Sequence, residues 1–487
     1  MSAVPSVNHP APSMGRFVLA LILVAGLVGC NNGGGSPQSV ATAAHGAKSV
    51  AHDALASTYS STTSADALPL SCAPSQVVSP GGRSSCNLLW LGRYPIPGQT
   101  IGGKLVGNRF YVTNWTSGFY VFDVTTPDNP TLLGNVLLDG GTGSTVQSQV
   151  ENEDPAVNGQ VAVLSRTAYK DALVLNISDP ANMKGVAVPG GDAHVQVCLY
   201  DCQWVYGSTT GTIMDLRDPA HPVLLPQKWT DMVGFTPDAA GIYKVHALSE
   251  VRPGMVITAS DPAKVIDTTD PANPKVLFSL PPSPPPSNTL GEPGPAQPGR
   301  IGHNSLWPEQ GKDRFFLGLS EGVYDGVCEL YPNEGRTLYL YDTTGWQQNN
   351  TFTPLSQYTL VTGNGDTGAS GGVAQVDSHG NPSAVEPGVE GCSTHWFDPH
   401  PSFHNGGLIA MATFSHGVRL LNVESNGRID QLGYFVSNGA AGFASTVDVR
   451  WVSDRIMYVL DFASGSMDIV EYTGPLPTQG PVDTSAL

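Results

Sequence analysis

Basic residues are scarce. The 487-residue chain holds 23 Lys and Arg against 41 Asp and Glu, a net charge of −18, and charged residues of both signs make up only 13% of it. With no basic cluster anywhere, a nucleic-acid partner is excluded, because affinity for a phosphate backbone comes chiefly from Lys and Arg displacing counterions. Uninterrupted stretches are lacking too: 56 Gly and 40 Pro punctuate the chain too often for long helices. Beyond residue 28 nothing is apolar enough to span a membrane. No phosphate-binding glycine loop, nucleotide fingerprint or zinc-protease helix motif occurs, so no nucleotide cofactor is expected. What the chain does have is 40% hydrophobic residues, enough for a large core, which together with the punctuation predicts an all-β protein.

The N-terminus reads as a targeting segment. Arg16 precedes the apolar run 17–28, which is too short to cross a bilayer comfortably, and Gly29-Cys30 follows. Leu27-Val28-Gly29-Cys30 resembles the lipobox of bacterial lipoproteins, and the resemblance implies cleavage before Cys30 and a diacylglycerol on its thiol. The alternative is an ordinary secretory signal with an incidental cysteine. A flexible tether, Asn31 to Pro37, comes next, and the Ser/Ala/Thr/Gly-rich stretch to about Pro69 reads as disordered linker. Without Cys30, six of the seven cysteines remain, in a compartment that permits disulfides. Sequence proximity pairs Cys72 with Cys86, Cys198 with Cys202 and Cys328 with Cys392. Of these the second is the most compelling, since it would staple the turn of one hairpin.

One phrase recurs: Gly118-Phe-Tyr-Val-Phe-Asp123-Val-Thr-Thr-Pro127-Asp-Asn-Pro130, then Asp215 to Pro222, then Asp267 to Pro274. Degenerate copies lie at Asn176, Asp342, Asn422 and Glu471. Where the apolar strand ends in Asp or Asn, that side chain can hold an Asx turn, and where proline follows it forbids the strand from continuing. The phrase resembles the LVIVD repeat of bacterial and archaeal envelope proteins, and the resemblance implies a β-propeller. Seven units fit the span from about Cys86 to Thr473, 388 residues or about 55 per blade. The stretch from Asn87 to Gly92 looks like an outer strand without inner strands of its own, and the last unit ends near Tyr472 without an outer strand. The two ends are therefore expected to close one ring. Two Gly/Pro-rich stretches, Pro281 to Gly299 and Gly363 to Gly391, read as loop insertions. Ser370 in the second sits between glycines, but no His and Asp in a serine-protease order accompany it.

The histidines keep a register. His194 precedes Asp215 by 21 residues and His246 precedes Asp267 by the same 21, which places both at the start of an inner strand, at the mouth of the axial channel. His303 and His395 match once the insertions are allowed for. The other three blades put Glu151 and Glu153, Asp448, and Gly102, Gly103 or Lys104 near the same level. His416 lies in a loop that opens on the same face, and His400 and His404 lie farther along. Converging imidazoles suit Cu, Zn, Fe or Ni better than Mg or Ca. The reading is a transition-metal site on His194, His246, His303 and His395, with Glu151, Glu153, Asp448 or His416 able to complete the shell. Hydrogen-bonded histidines in a water-filled channel are the alternative. Copper-binding propellers such as nitrous oxide reductase are similar in general plan, although their motifs do not match residue by residue. Of the aromatics near this face, Trp115, Tyr169 and Trp307 read as packing, and Trp396 adjoins a proposed ligand.

The expected organisation is a lipoprotein signal peptide (1–29), a lipid-anchored linker (30–71), a seven-bladed propeller (72–475) and a tail (476–487). Function is expected in the cell envelope, with the membrane as a partner through the lipid. The propeller would serve as a scaffold for a protein, glycan or small molecule. The alternative is a metal-dependent oxidoreductase or hydrolase.

Overall fold

The computed structural model describes residues 77–137, 150–281, 301–321, 337–359, 393–438, 444–462 and 465–476. The signal segment, Cys30, the linker, Cys72, Cys328, Cys392, almost all of both insertions and all of the tail but Leu476 lie outside the described residues. Among the described residues no helix is long and apolar enough to cross a membrane.

Seven antiparallel sheets follow one another as the blades of a β-propeller. Their innermost strands are Thr100–Val106 (blade 1), Ala156–Val157 (2), Gln196–Leu199 (3), Val245–Arg252 (4), Asn304–Leu306 (5), Phe397–Pro399 (6) and Thr446–Trp451 (7). Each blade is a meander, so the chain steps outward strand by strand and then crosses to the next blade. The recurring phrase ends the third strand, as its chemistry predicts. Asp123 accepts the N–H of Thr125 at 2.7 Å, Asp215 that of Arg217 at 3.0 Å, Asp267 that of Thr269 at 2.9 Å and Asp342 that of Thr344 at 2.8 Å. These are Asx turns, which stop the strand before the proline arrives. The prolines also latch blades together: Tyr206 of blade 3 donates its hydroxyl to the Pro271 carbonyl of blade 4 at 2.6 Å, and Tyr458 of blade 7 donates to Pro127 of blade 1 at 2.8 Å.

The core is divided among the seams between blades. Phe110 and Phe122 of blade 1 pack with Tyr458 and Leu460 of blade 7, and Leu317 and Leu338 of blade 5 with Ile409 and Leu421 of blade 6. Every seam is filled by residues that alternate along the strands, each large apolar side chain contributing about 1.5–3 kcal/mol on burial.

Ring closure is made by the N-terminal segment. Leu88–Pro95 forms the outer strand of blade 7, pairing antiparallel with Ser466–Tyr472 from Leu88↔Tyr472 to Pro95↔Ser466. Ahead of it, the hairpin Val77–Ser79/Gly82–Ser84 adds two further strands to the outer edge of blade 6, Gly82–Ser84 pairing with Phe435 to Ser437. The sequence shows the first of these joints and not the second, because a three-residue Gly-Arg-Ser strand carries no alternation to read. Cys198 and Cys202 are bridged across the hairpin turn of blade 3. Cys86 is also in a disulfide.

Candidate metal centre

The segment that supplies Glu153 is held rigidly. Ser165 donates its N–H to Asn152 Oδ1 at 2.5 Å, and the Thr113 hydroxyl donates to the Asn152 carbonyl at 2.5 Å. Gly102 of blade 1 has to lack a side chain, because a β-carbon there would overlap the Glu153 carbonyl. That close approach carries the Glu153 carboxylate to the axis, where it is buried.

Four imidazoles surround it. The distances are 3.1 Å from His194 Nε2 to Glu153 Oε1, and 3.7, 3.4 and 3.3 Å from the Nε2 atoms of His246, His303 and His395 to Oε2. Trp396 donates its indole N–H to the same Oε2 at 3.1 Å, and Glu151 stands 3.6 Å from His194 Nδ1. Successive rings from His194 to His395 are 4.5, 4.0 and 4.3 Å apart between centroids. The inner-strand register read from the sequence thus brings His194, His246, His303, His395, Glu151 and Glu153 together.

Two of the rings are oriented by backbone carbonyls. His246 Nδ1 donates to the His303 carbonyl at 3.0 Å, and His395 Nδ1 to the Val447 carbonyl at 2.5 Å. A carbonyl at Nδ1 fixes that nitrogen as the protonated one and leaves the Nε2 lone pair of a neutral ring pointing inward. His303 differs from its neighbours, being fully buried with Nδ1 lacking any hydrogen-bond partner and Nε2 set only against Glu153, at 3.4 Å and outside good hydrogen-bond geometry.

The charges divide in a pattern. Burial opposes ionisation of Glu153, but the imidazoles of His395, His194 and His246 together hold its carboxyl well below the usual carboxylate range. Burial likewise opposes protonation of His194 and His395. Glu153, helped by Glu151, nevertheless raises His194 well above the ordinary imidazole value, and Glu153 raises His395 to about 9. Burial and the His303 ring push His246 well down, while burial and His395 push His303 down to about 4. His194 therefore donates to His246 across their 2.9 Å Nε2···Nε2 contact, and His246 and His303 are the neutral rings.

Ligating atoms fall within 4.8 Å of one another in two overlapping sets, Glu153–His246–His303 and His303–Glu321–His395. His303 is common to both sets and His194 belongs to neither, so the four histidines do not form one symmetric ring of ligands. Glu321 escaped the sequence reading. It follows the second strand of blade 5, Phe315–Ser320, in the same kind of loop that carries His416 in blade 6, and that equivalence was the available signal. Asp448 and His416 lie outside these sets. Asp448 accepts the Gly103 N–H at 2.7 Å and pairs with Arg450, and His416 Nδ1 lies 3.3 Å from Ser415 Oγ. His400 is spent on Ser402 and the Asp454 carbonyl, and His404 on Glu309. Trp307 packs in the core, Tyr169 is exposed, and Trp396 lies edge-on to His303 at 5.4 Å.

No family model matches the chain, and no curated protein does. Among solved structures it is similar to the Cps50 (Swd1) β-propeller domain of Myceliophteria thermophila, with 9% identity, a TM-score of 0.46, and 78% of this chain and 98% of that one covered. It is also similar to Raptor of Chaetomium thermophilum, with 11% identity and a TM-score of 0.46, over 80% of this chain and 29% of that one.

Proposed function

We propose that this chain is an envelope-anchored binding protein that holds a transition-metal ion at the head of its propeller axis. The observation that carries the reading is His303, a fully buried imidazole whose Nδ1 has no hydrogen-bond partner and whose Nε2 meets only Glu153, at 3.4 Å, within 4.8 Å of other nitrogen and carboxylate ligand atoms. A buried polar side chain left unsatisfied costs about 1–3 kcal/mol, so a structure retaining one in such company has a use for it. Ligands about 2.0–2.1 Å from one tetrahedral ion stand about 3.3 Å apart, and the Nε2 atoms of His246 and His303 lie near that spacing from Glu153 Oε2, at 3.7 and 3.4 Å.

His246, His303 and Glu153 are the residues we assign to the ion, with His194 and His395 flanking them and Glu321 beside His303. Nitrogen-rich donors select Cu, Zn, Fe or Ni over Mg or Ca. Bound there, such an ion would supply Lewis acidity or, for Cu or Fe, redox chemistry. The side chains of His194 and His246 are 25% and 19% exposed, against 0% for His303, so they offer the route by which an ion or small ligand reaches the centre. The lipobox resemblance at Cys30 supports a lipid anchor.

The test is elemental analysis of the untagged full-length protein in detergent beside a variant with His194, His246, His303 and His395 changed to Ala. The expected result is one equivalent of Cu, Zn, Fe or Ni in the parent, lost in a variant that keeps its β-sheet circular dichroism. The metal found then selects the oxidoreductase or hydrolase assays. Absence of metal after reconstitution would leave a propeller scaffold with a hydrogen-bonded polar axis. For the anchor, metabolic labelling with a radioactive fatty acid should mark the parent and leave Cys30→Ser unmarked.

A further inference from the structure

Beyond Trp396 the axis opens into a second compartment, a cavity of about 420 Å³ to which all seven blades contribute. Its lining residues on blades 4, 5, 6 and 7 lie farther along the same inner strands that begin at the imidazole end, or run on from it. The hairpin turn of blade 3, closed by Cys198–Cys202, forms part of the rim, and Asp201 there is exposed. The cavity therefore reaches solvent on the side away from the imidazole cluster.

Six charged residues line it: Lys104, Arg450, Asp154, Asp201, Glu250 and Asp398. Both cations are already committed. Lys104 pairs with Asp154 at 2.9 Å, and Arg450 pairs with Asp448 at 3.0 Å and with Asp154 at 3.4 Å. The acids are not. Asp398 uses one oxygen to accept the Trp451 N–H at 2.8 Å, and Glu250 one to accept the Tyr200 N–H at 2.8 Å. The second oxygen of each has no hydrogen-bond partner among the described residues. Two further lining residues, Asn304 and Ser305, are 4% and 2% exposed, and Asn304 Oδ1 and Ser305 Oγ are buried without a partner.

The free oxygens of Asp398 and Glu250, in a cavity whose lining also includes the unsatisfied polar side chains of Asn304 and Ser305, call for a positively charged hydrogen-bond donor. A single metal ion does not meet the demand, because among the described residues no three of these acids bring ligating oxygens within 4.8 Å of one another. The volume falls in the range of small-molecule sites. We propose that this compartment is a second binding site, independent of the metal centre, which takes a small organic molecule bearing a primary ammonium group.

The experiment is calorimetric titration of the full-length protein with ethanolamine and with putrescine, with ethylene glycol and acetate as neutral and anionic controls. At least one amine should bind saturably with a dissociation constant in the millimolar range or tighter, and neither control should bind. Asp398→Asn, which keeps an acceptor for the Trp451 N–H, should weaken amine binding by about tenfold or more. Glu250→Gln should act in the same direction. Failure of both amines to bind, binding of ethylene glycol as strong as that of the amines, or unchanged affinity in both variants would each overturn the proposal.

Discussion

At its imidazole end the axis surrounds one carboxylate, Glu153, with four histidine rings, whereas at its cavity end it ties Lys104 and Arg450 to Asp154 and Asp448. The same inner strands run toward both. At the first end a buried carboxylate is shared by two rings held protonated, His194 and His395, and two held neutral, His246 and His303, and the ring nitrogens of His303 meet nothing but Glu153. At the second every lining cation is paired and the spare capacity lies with acceptors. The contrast shows how a propeller divides work along its axis. Positions at or just before an inner-strand start converge closely enough to share one atom, and later positions spread around a volume.

The comparison can be broken most severely at the cavity end. Asp448 is fully buried against Arg450, and Asp448→Asn strands part of a guanidinium charge. We expect a loss of about 3 kcal/mol in urea unfolding, with metal content at the imidazole end unchanged. Metal loss in that variant would mean that the two ends are one unit. Glu153→Gln probes the other end. Metal affinity measured by chelator competition should fall by more than the roughly 10–100-fold that loss of a residue supporting a ligand costs, while amine binding in the cavity holds.

A pH titration sharpens the contrast. Burial raises Asp398 from 3.8 to about 6, only partly countered by Arg450. The folded protein thus keeps a proton that the unfolded chain releases. The resulting stabilisation is complete below about pH 4 and disappears as pH rises through about 6. Asp398→Asn should flatten that slope by on the order of 2 kcal/mol across pH 4–7 in thermal or urea melts. A variant with the parent's slope would place the titration elsewhere. Least affected should be Tyr206→Phe, which removes only the latch to the Pro271 carbonyl, for about 1 kcal/mol by the same melts.

The propeller was legible because its repeat is chemical as well as statistical. Asx turns at Asp123, Asp215 and Asp267 each need a side-chain acceptor at one place, so the strand ends announce themselves. The histidine cluster was legible for a related reason, since a constant 21-residue spacing to those turns fixes height along the axis. Where the period was interrupted the reading weakened. Glu321 lies after a second strand rather than at an inner-strand start, and Asp448 shared the expected height yet turned to Arg450. The cavity left no trace in the spacing, because its partners, such as Asp154 and Arg450, are nearly 300 residues apart. Which acid meets which base there is decided by closure of the ring, and closure is a property of the whole circle.

That closure orders events in time. Leu88–Pro95 finds its partner in Ser466–Tyr472, so the first strands to leave the ribosome wait for the last. Until then Leu89 and Leu91, apolar residues exposed even in the finished protein, belong to a strand with an unpaired edge. Pairing across such a separation is slow, and an open edge invites the wrong neighbour. During synthesis the edge of this strand therefore stays open to other copies of the chain until the final blade has arrived.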